Sequence, residues 1–545
     1  MNRTEAKRLA TLMTTEAERA RDSIRSPGHP RPYFVSYLIR DEERWTVKAR
    51  FGAITHDSRR HRRPCFCDVR VGSYKSDHVQ DGGLVDSSTE DESYSCAFLP
   101  FEGDRKGIQH SLWRLAETRY REAAESYAQK KASQLTYLDR NRQYRAFEKL
   151  PPIQSVKVRD LPEVDEEYWR SYVKKASALV RRYPSIKSSS VRFSVMHQTK
   201  VYVSTEGSTQ IENESFWSLE CYLWLLSEQG DAFPWTISKF VRDPSELPDA
   251  ATFHREIRAT IQKLEKLAAS PRIRAYAGPV LLDPIPAGLL VHEALGHRLE
   301  GNRMLSTGEG QTFRDSMNQP ILPEFLSIVD EPGRAEFEGQ SLVGHYSFDD
   351  EGCPAQDVTL VEGGVLRNFL TSRAPIDKRH RSNGHARNES YERPISRMGV
   401  TRVESHDGLS DAAMKKELIA EIEAQGLPFG IRILHASGGE TRTESYDFQA
   451  FLGEINLAAK VYPDGREEWV RGVDFVGTPL NATRSIIAAG NRVEVDNAYC
   501  GAESGWVPVS TICPSLLVAH LELQAKSDAP YTQFAYPMPW EPEAE

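Results

Sequence analysis

Apolar and polar positions alternate along residues 33–39 and 65–71, the period of half-buried strands. Before them the chain reads as a helix to about residue 25, with polar residues on most faces, and the stretch SPGHPRP then breaks it with three prolines and a glycine. Apolar residues return at helical spacing from about 107 to 149, which predicts a long amphipathic helix, unbroken or broken once. After Pro151-Pro152 a second helix is expected around 166–182, then strands over 190–206 and 208–224 joined by a turn at Glu206-Gly207. A charged helix over 244–269 ends before Ser270-Pro271.

A new unit is expected to open near Gly278, with a strand at 279–282 and a helix directly behind it. From Gly339 onward the pattern changes to short alternating runs separated by Gly, Asp and Asn, with one helix at about 410–425. After Asp528 a proline-rich, acidic stretch reads as an irregular tail or strap. The expected fold class is α+β: an N-terminal α/β domain with long helices over residues 1–277, then a β-rich C-terminal domain over 278–545.

At 545 residues and 39% hydrophobic, the chain is long enough for more than one core. Its net charge of −9 argues against a general nucleic-acid or anionic-membrane binder, since both need a cationic surface. The densest basic run, 56–63, reads as a solvated loop. Seven cysteines scattered through such a length do not form a disulfide framework. With no apolar run of signal-peptide or membrane-spanning type, a cytoplasmic location is expected.

Candidate chemistry concentrates in His292-Glu293-Ala294-Leu295-Gly296-His297. Asp283-Pro284 is a suitable helix start, with aspartate as the cap and proline in the first turn. Two histidines and a glutamate supply most of a catalytic zinc site, which needs about three protein ligands, an open position and a base. Metalloprotease helices usually space such histidines four apart, but here they are five apart, a divergence of roughly 140° on an ideal helix. Joint binding therefore requires a π-bulge or bend between them, which Gly296 would ease. The alternative is two unrelated structural histidines on a buried helix.

The stretch VHEALGHRLEG resembles the core motif of the TldD/PmbA metallopeptidase family, whose active members carry HExxxH. Asp349-Asp350-Glu351-Gly352 with Pro354, Ser382-Asn383-Gly384, Asn388-Glu389-Ser390-Tyr391, Arg397-Met398, Ser437-Gly438-Gly439, Gly472-Val473 and the segment from Asp496 to Gly501 are similar to further blocks of that family. The resemblance is dense from about Gly278 to Ala519 and thin before about Lys200. It implies one zinc ion per chain, held by His292, His297 and Cys500, with Cys513 as a rival for the third place. Glu293 is then the general base for a water on the zinc. Glu300 and Glu309 could support the metal ligands from behind, but surface carboxylates are commoner and neither is assigned.

The resemblance further implies cleavage of unfolded or partly trimmed polypeptides bound as an extended strand. Ser437, Gly438 and Gly439 suit the receiving edge because absent side chains let another backbone approach, although a turn or bulge fits them equally. Family members work as dimers, so this motif-bearing chain is expected to pair with itself or with a related subunit that lacks the motif. Two other readings stand beside the peptidase: a zinc-dependent hydrolase of small amides, and a non-catalytic zinc-stabilised peptide-binding protein.

Overall fold

The alternation at 33–39 continues through all of β1, Pro32–Arg50, and assigns the strand two faces. Val35, Tyr37, Ile39, Trp45, Val47 and Ala49 are buried beneath helices. Arg40, Glu42 and Arg44 point the other way and line a cavity. In the computed structural model, which describes residues 1–79, 97–101, 105–136, 145–306, 309–378, 380–390, 392–443, 451–526, 530–534, 536 and 538–539, β1 is the centre of the first sheet. It pairs antiparallel with β2 (Ala53–Arg62), β3 (Pro64–Ser73) and β4 (Ile186–Ser204). Beyond β4 lie β5 (Thr209–Leu226) and β6 (Ala232–Val241), also antiparallel. Gly207, at φ +94°, makes the predicted turn between β4 and β5.

Helices cover one face of this sheet. Helix α1 (Arg3–Ser23) and α2 (Arg105–Thr136) pack on β1 and β3, while α3 (Glu166–Ala178) and α4 (Ala250–Ala268) pack on β4 and β5. The N-terminal half is thus helices layered on an antiparallel sheet, not a parallel βαβ array. Helix α1, which reads as polar on most faces, buries a narrow stripe of Ala6, Leu9, Ala10, Met13 and Ala17. The helix expected to reach residue 149 is shorter: 145–149 are not helical, and 137–144 lie outside the described residues. The basic run 56–63 is not a loop: it falls mostly on β2, an exposed strand held by β1, where Arg59 pairs with Glu166 and Arg62 with Glu42.

The second sheet begins with β7 (Tyr276–Leu282) and contains β8 (Leu326–Asp330), β9 (Val358–Glu362), β10 (Val400–Ser405), β11 (Gly430–Thr441), β12 (Phe451–Val461), β13 (Val473–Gly477), β14 (Ile486–Ala502) and β15 (Gly505–Ala525). Strands β7, β11, β12, β13 and β15 pair in that order, and β7 also pairs with β15, which closes them into a small barrel. Helix α5 (Pro284–Ala294) follows β7 directly and packs against β11, β14 and β15; α6 (Asp411–Ala424) covers the outside of β7.

The two halves meet through buried charge. Asp350 is 2.9 Å from Arg40 and 3.3 Å from Lys200, and Arg373 is 2.7 Å from Glu206. Burying such ions is costly unless each is paired, so these contacts fix the first sheet's polar face opposite the barrel. The expected tail acts as a strap in its described part: Tyr531 N donates to Gly230 O at 2.8 Å, and Gln533 Nε2 to Ser227 O at 2.6 Å. Among the described residues no helix is long and apolar enough to cross a membrane.

Candidate metal centre

Helix α5 starts where the sequence predicts, but Asp283 does not cap it. Pro284 and Pro286 lack N–H groups at the first and third helical positions, so the side chain has little to bind there. Its carboxylate instead accepts from Arg432 Nε and Nη2 at 2.8 and 3.2 Å. The helix ends at Ala294, Leu295 leaves helical geometry at φ −118°, and a tight 3₁₀ turn follows over Gly296–Leu299. This is the bend alternative, a tightening of the chain instead of an i→i+5 widening.

The bend brings the two imidazoles together, 5.0 Å apart and perpendicular. Gly296 has a packing reason as well as a conformational one: a Cβ there would lie 2.2 Å from Met398 Sδ. Cys500 arrives on β14, with Sγ 3.2 Å from His292 Nε2 and 3.4 Å from His297 Nε2. One donor atom from each residue lies within 4.8 Å of the other two. Cys513 is elsewhere, fully buried on β15 beneath Gly288, and burial pushes its thiol up.

Charge in this cluster is mutually sustained. Burial alone would raise the Cys500 pKa, but His297, His292 and Arg397 outweigh it and hold the thiol well below its ordinary range. Burial likewise opposes protonation of the histidines, yet the thiolate prevails, and with Glu300 it lifts His297 to about 10. A thiolate with two imidazoles is a borderline-soft donor set that suits tetrahedral zinc and leaves one position open.

Glu293 is buried beside the cluster, and burial raises its pKa against the pull of His292 and His297. Its main-chain carbonyl accepts from Arg298 Nη1 at 2.8 Å. Gly439 lies directly over it: a Cβ at Gly439 would be 2.7 Å from Glu293 Cγ. Strand β11 is accompanied by β7 only through Ile433; from there to Thr441 its one strand partner among the described residues is β12. The register slips repeatedly between Ile433 and Gly438, so Ser437, Gly438 and Gly439 lie on a strand edge that is also bulged. All three line the same cavity as His292, Glu293, His297 and Cys500, a space of about 1850 Å³.

Two groups behind the cluster were left without a role by the sequence. Glu300 is 1% exposed, not a surface carboxylate, and its Oε2 lies 3.2 Å from His297 Nδ1 and 3.0 Å from Arg303 Nη2. Fully buried Arg397 donates to Cys500 O at 2.7 Å and to Cys500 Sγ at 3.2 Å. The three-residue spacing from His297 to Glu300 was the available signal for the first; Arg397 stood in a recognised block without an assigned role. Glu309 contacts Arg303 at 3.1 Å, one step further out. Tyr391, in another of those blocks, lies outside the described residues.

Comparison with known proteins adds to this geometry. A family model for the PmbA/TldA metallopeptidase C-terminal domain matches residues 275–525, the span that contains the barrel, α5 and Cys500. Over that span, a little under half of the chain, the sequence is similar to the PmbA/TldD metallopeptidase family. A "Metalloprotease" of Archaeoglobus fulgidus is 32% identical over 265 residues, covering 48% of this chain and 56% of the relative. A "Zinc metalloprotease TldD homolog" of Saccharolobus solfataricus is 27% identical over 374 residues, covering 67% of this chain and 77% of the relative. The first of these matches therefore spans little more than half of the relative's own length. The crystal structure of TldE from Thermococcus kodakarensis shares the fold, with a TM-score of 0.60 at 11% identity, covering 90% of this chain and 97% of that one.

Proposed function

We propose that the chain is a zinc-dependent metallopeptidase that hydrolyses unfolded or partly trimmed polypeptides. The observation that carries this reading is the convergence of His292, His297 and Cys500 beside a buried Glu293, on the wall of a cavity of about 1850 Å³. Such a volume exceeds that of ordinary small-molecule pockets, which favours a polypeptide over a small amide. His292, His297 and Cys500 would hold one zinc ion. When bound, zinc supplies a Lewis acid that acidifies water and polarises a carbonyl.

Glu293 is the base: its carboxylate takes a proton from the attacking water and passes it to the leaving amine. The unpaired edge at Ser437, Gly438 and Gly439 receives the substrate backbone, and bare Gly439 lets that strand lie close to Glu293. Glu300 holds the His297 ring through Nδ1 and leaves Nε2 for the metal. Replacing Glu300 with glutamine should therefore weaken zinc binding by roughly 10–100-fold, read by competition with a chromophoric chelator. Unchanged affinity would remove Glu300 from this role. A dimer, of this chain with itself or with a motif-lacking relative, belongs to the same proposal and is supported by the likeness of fold to TldE.

The test is cleavage of an unfolded casein-like protein, and separately of short amides, before and after a chelator and then with zinc restored. Casein cleavage should stop on chelation and return with zinc. Turnover of short amides alone would favour the small-amide hydrolase, and turnover indifferent to chelation would refute the metal mechanism.

A further inference from the structure

Most carboxylates on the cavity wall have a cation of their own. Glu42 pairs with Arg62, Glu214 with Arg242, Glu494 with Arg492, and Glu503 with Arg303. Asp496 has none: among the described residues its carboxylate makes no hydrogen bond and no ion pair, although its backbone is paired with Thr511. It stands on β14 four residues before Cys500 and, by the two-residue period of a strand, on the same face. Its cross-strand partner is Thr511, whose Cγ2 would lie 3.2 Å from a Cβ at Gly288. Gly288 is one helical turn before His292. Asp496 therefore faces the cavity one turn of α5 away from the metal cluster, where burial raises its carboxyl above the usual range against the pull of His292.

Apolar side chains stand in the same wall, Ile285 and Leu289 on α5 and Val509 on β15, together with polar Thr511. A carboxylate set among such side chains without a partner is a standing cost to the fold, and an arriving cation would relieve it. Aliphatic side chains beside a carboxylate that has no cation suit an aliphatic stem that ends in a positive charge.

We propose that Asp496 is a specificity-determining residue that receives a cationic nitrogen of the peptide near the scissile bond. This rests on the peptidase reading. The shared chemistry is an alkylammonium or guanidinium group, and its source is either a lysine or arginine side chain or the free α-amine of a short peptide. Glu293 handles the proton of the reaction, while Asp496 selects which bond is presented to it.

The experiment measures kcat and KM of the zinc-loaded protein on four peptides matched in all other respects. One is N-acetylated with a single lysine, the second replaces that lysine with norleucine, the third replaces it with glutamate, and the fourth carries norleucine with a free α-amine. Wild type should favour a cationic peptide over acetylated norleucine by at least about tenfold, chiefly through KM. Preference for the lysine peptide identifies a side-chain site, and preference for the free-amine peptide identifies an N-terminal site. Asp496→Asn should bring the ratio near one, Asp496→Glu should keep the preference, and Asp496→Lys should turn it toward the glutamate peptide. Equal wild-type cleavage of all four overturns the Asp496 assignment and leaves the peptidase reading intact, and this arm does not depend on any variant folding. A preference that survives in Asp496→Asn also overturns it. If wild type cleaves none of the four nor casein, the peptidase reading falls and the role of Asp496 falls with it.

Discussion

Replacing Glu293 with glutamine is expected to reduce peptide cleavage by roughly 10²–10⁴-fold, the usual contribution of a general base, without loss of zinc. The two side chains have nearly the same shape, and the Glu293 main-chain carbonyl keeps its bond from Arg298. Neither imidazole nor the thiolate depends on the Glu293 side chain for its position: His297 is oriented by Glu300, and Cys500 by Arg397. Glutamine has no proton-accepting carboxylate, so only the proton transfer should fail. Zinc content and casein cleavage measured on the same preparations check this. A variant that retains most of its turnover removes Glu293 from the chemistry, and one that loses zinc as well makes it a structural residue.

The second large effect concerns the cysteines. Cys500→Ala removes the thiolate and leaves two histidines, so zinc affinity should fall by more than the roughly 100-fold that loss of a supporting group costs. Cys513→Ala should keep zinc and activity and lose about 1 kcal/mol of stability as a small buried side chain is truncated. The difference follows from position: Cys500 Sγ is within 3.4 Å of both imidazole Nε2 atoms, whereas Cys513 lies under Gly288 among apolar neighbours. Zinc retained after dialysis, together with thermal unfolding, separates the two. Equal retention by both variants would contradict the assignment of Cys500.

Legibility from sequence followed the range of each interaction. The period-two patterns at 33–39 and 65–71 located real strands, because alternation is a local property, but not half-buried ones: helices cover one face, and on the other Asp68 and Arg70 are buried against Arg393 and Glu351. The barrel closure was not readable, since β7 meets β15 across more than two hundred residues of chain and hydrophobicity does not encode partners. His292, Glu293 and His297 announced themselves through residue type and short spacing. Cys500 did not: it is 203 residues from His297, and only the family resemblance connected them. Glu300 was left unassigned because one letter carries no burial; in the fold it is buried behind His297, in a turn whose Gly296 packs against Met398. Asp283 was misread because its capping role was considered without the proline two places inside the helix.

The central claim is that His292, His297 and Cys500 hold one zinc ion. X-ray absorption at the zinc edge, recorded on the purified protein, tests it most directly. The account predicts a coordination shell with one sulfur at about 2.3 Å and two imidazole nitrogens at about 2.0–2.1 Å, completed by a light atom. A shell of nitrogen and oxygen alone, or a protein that takes up no zinc, would contradict it.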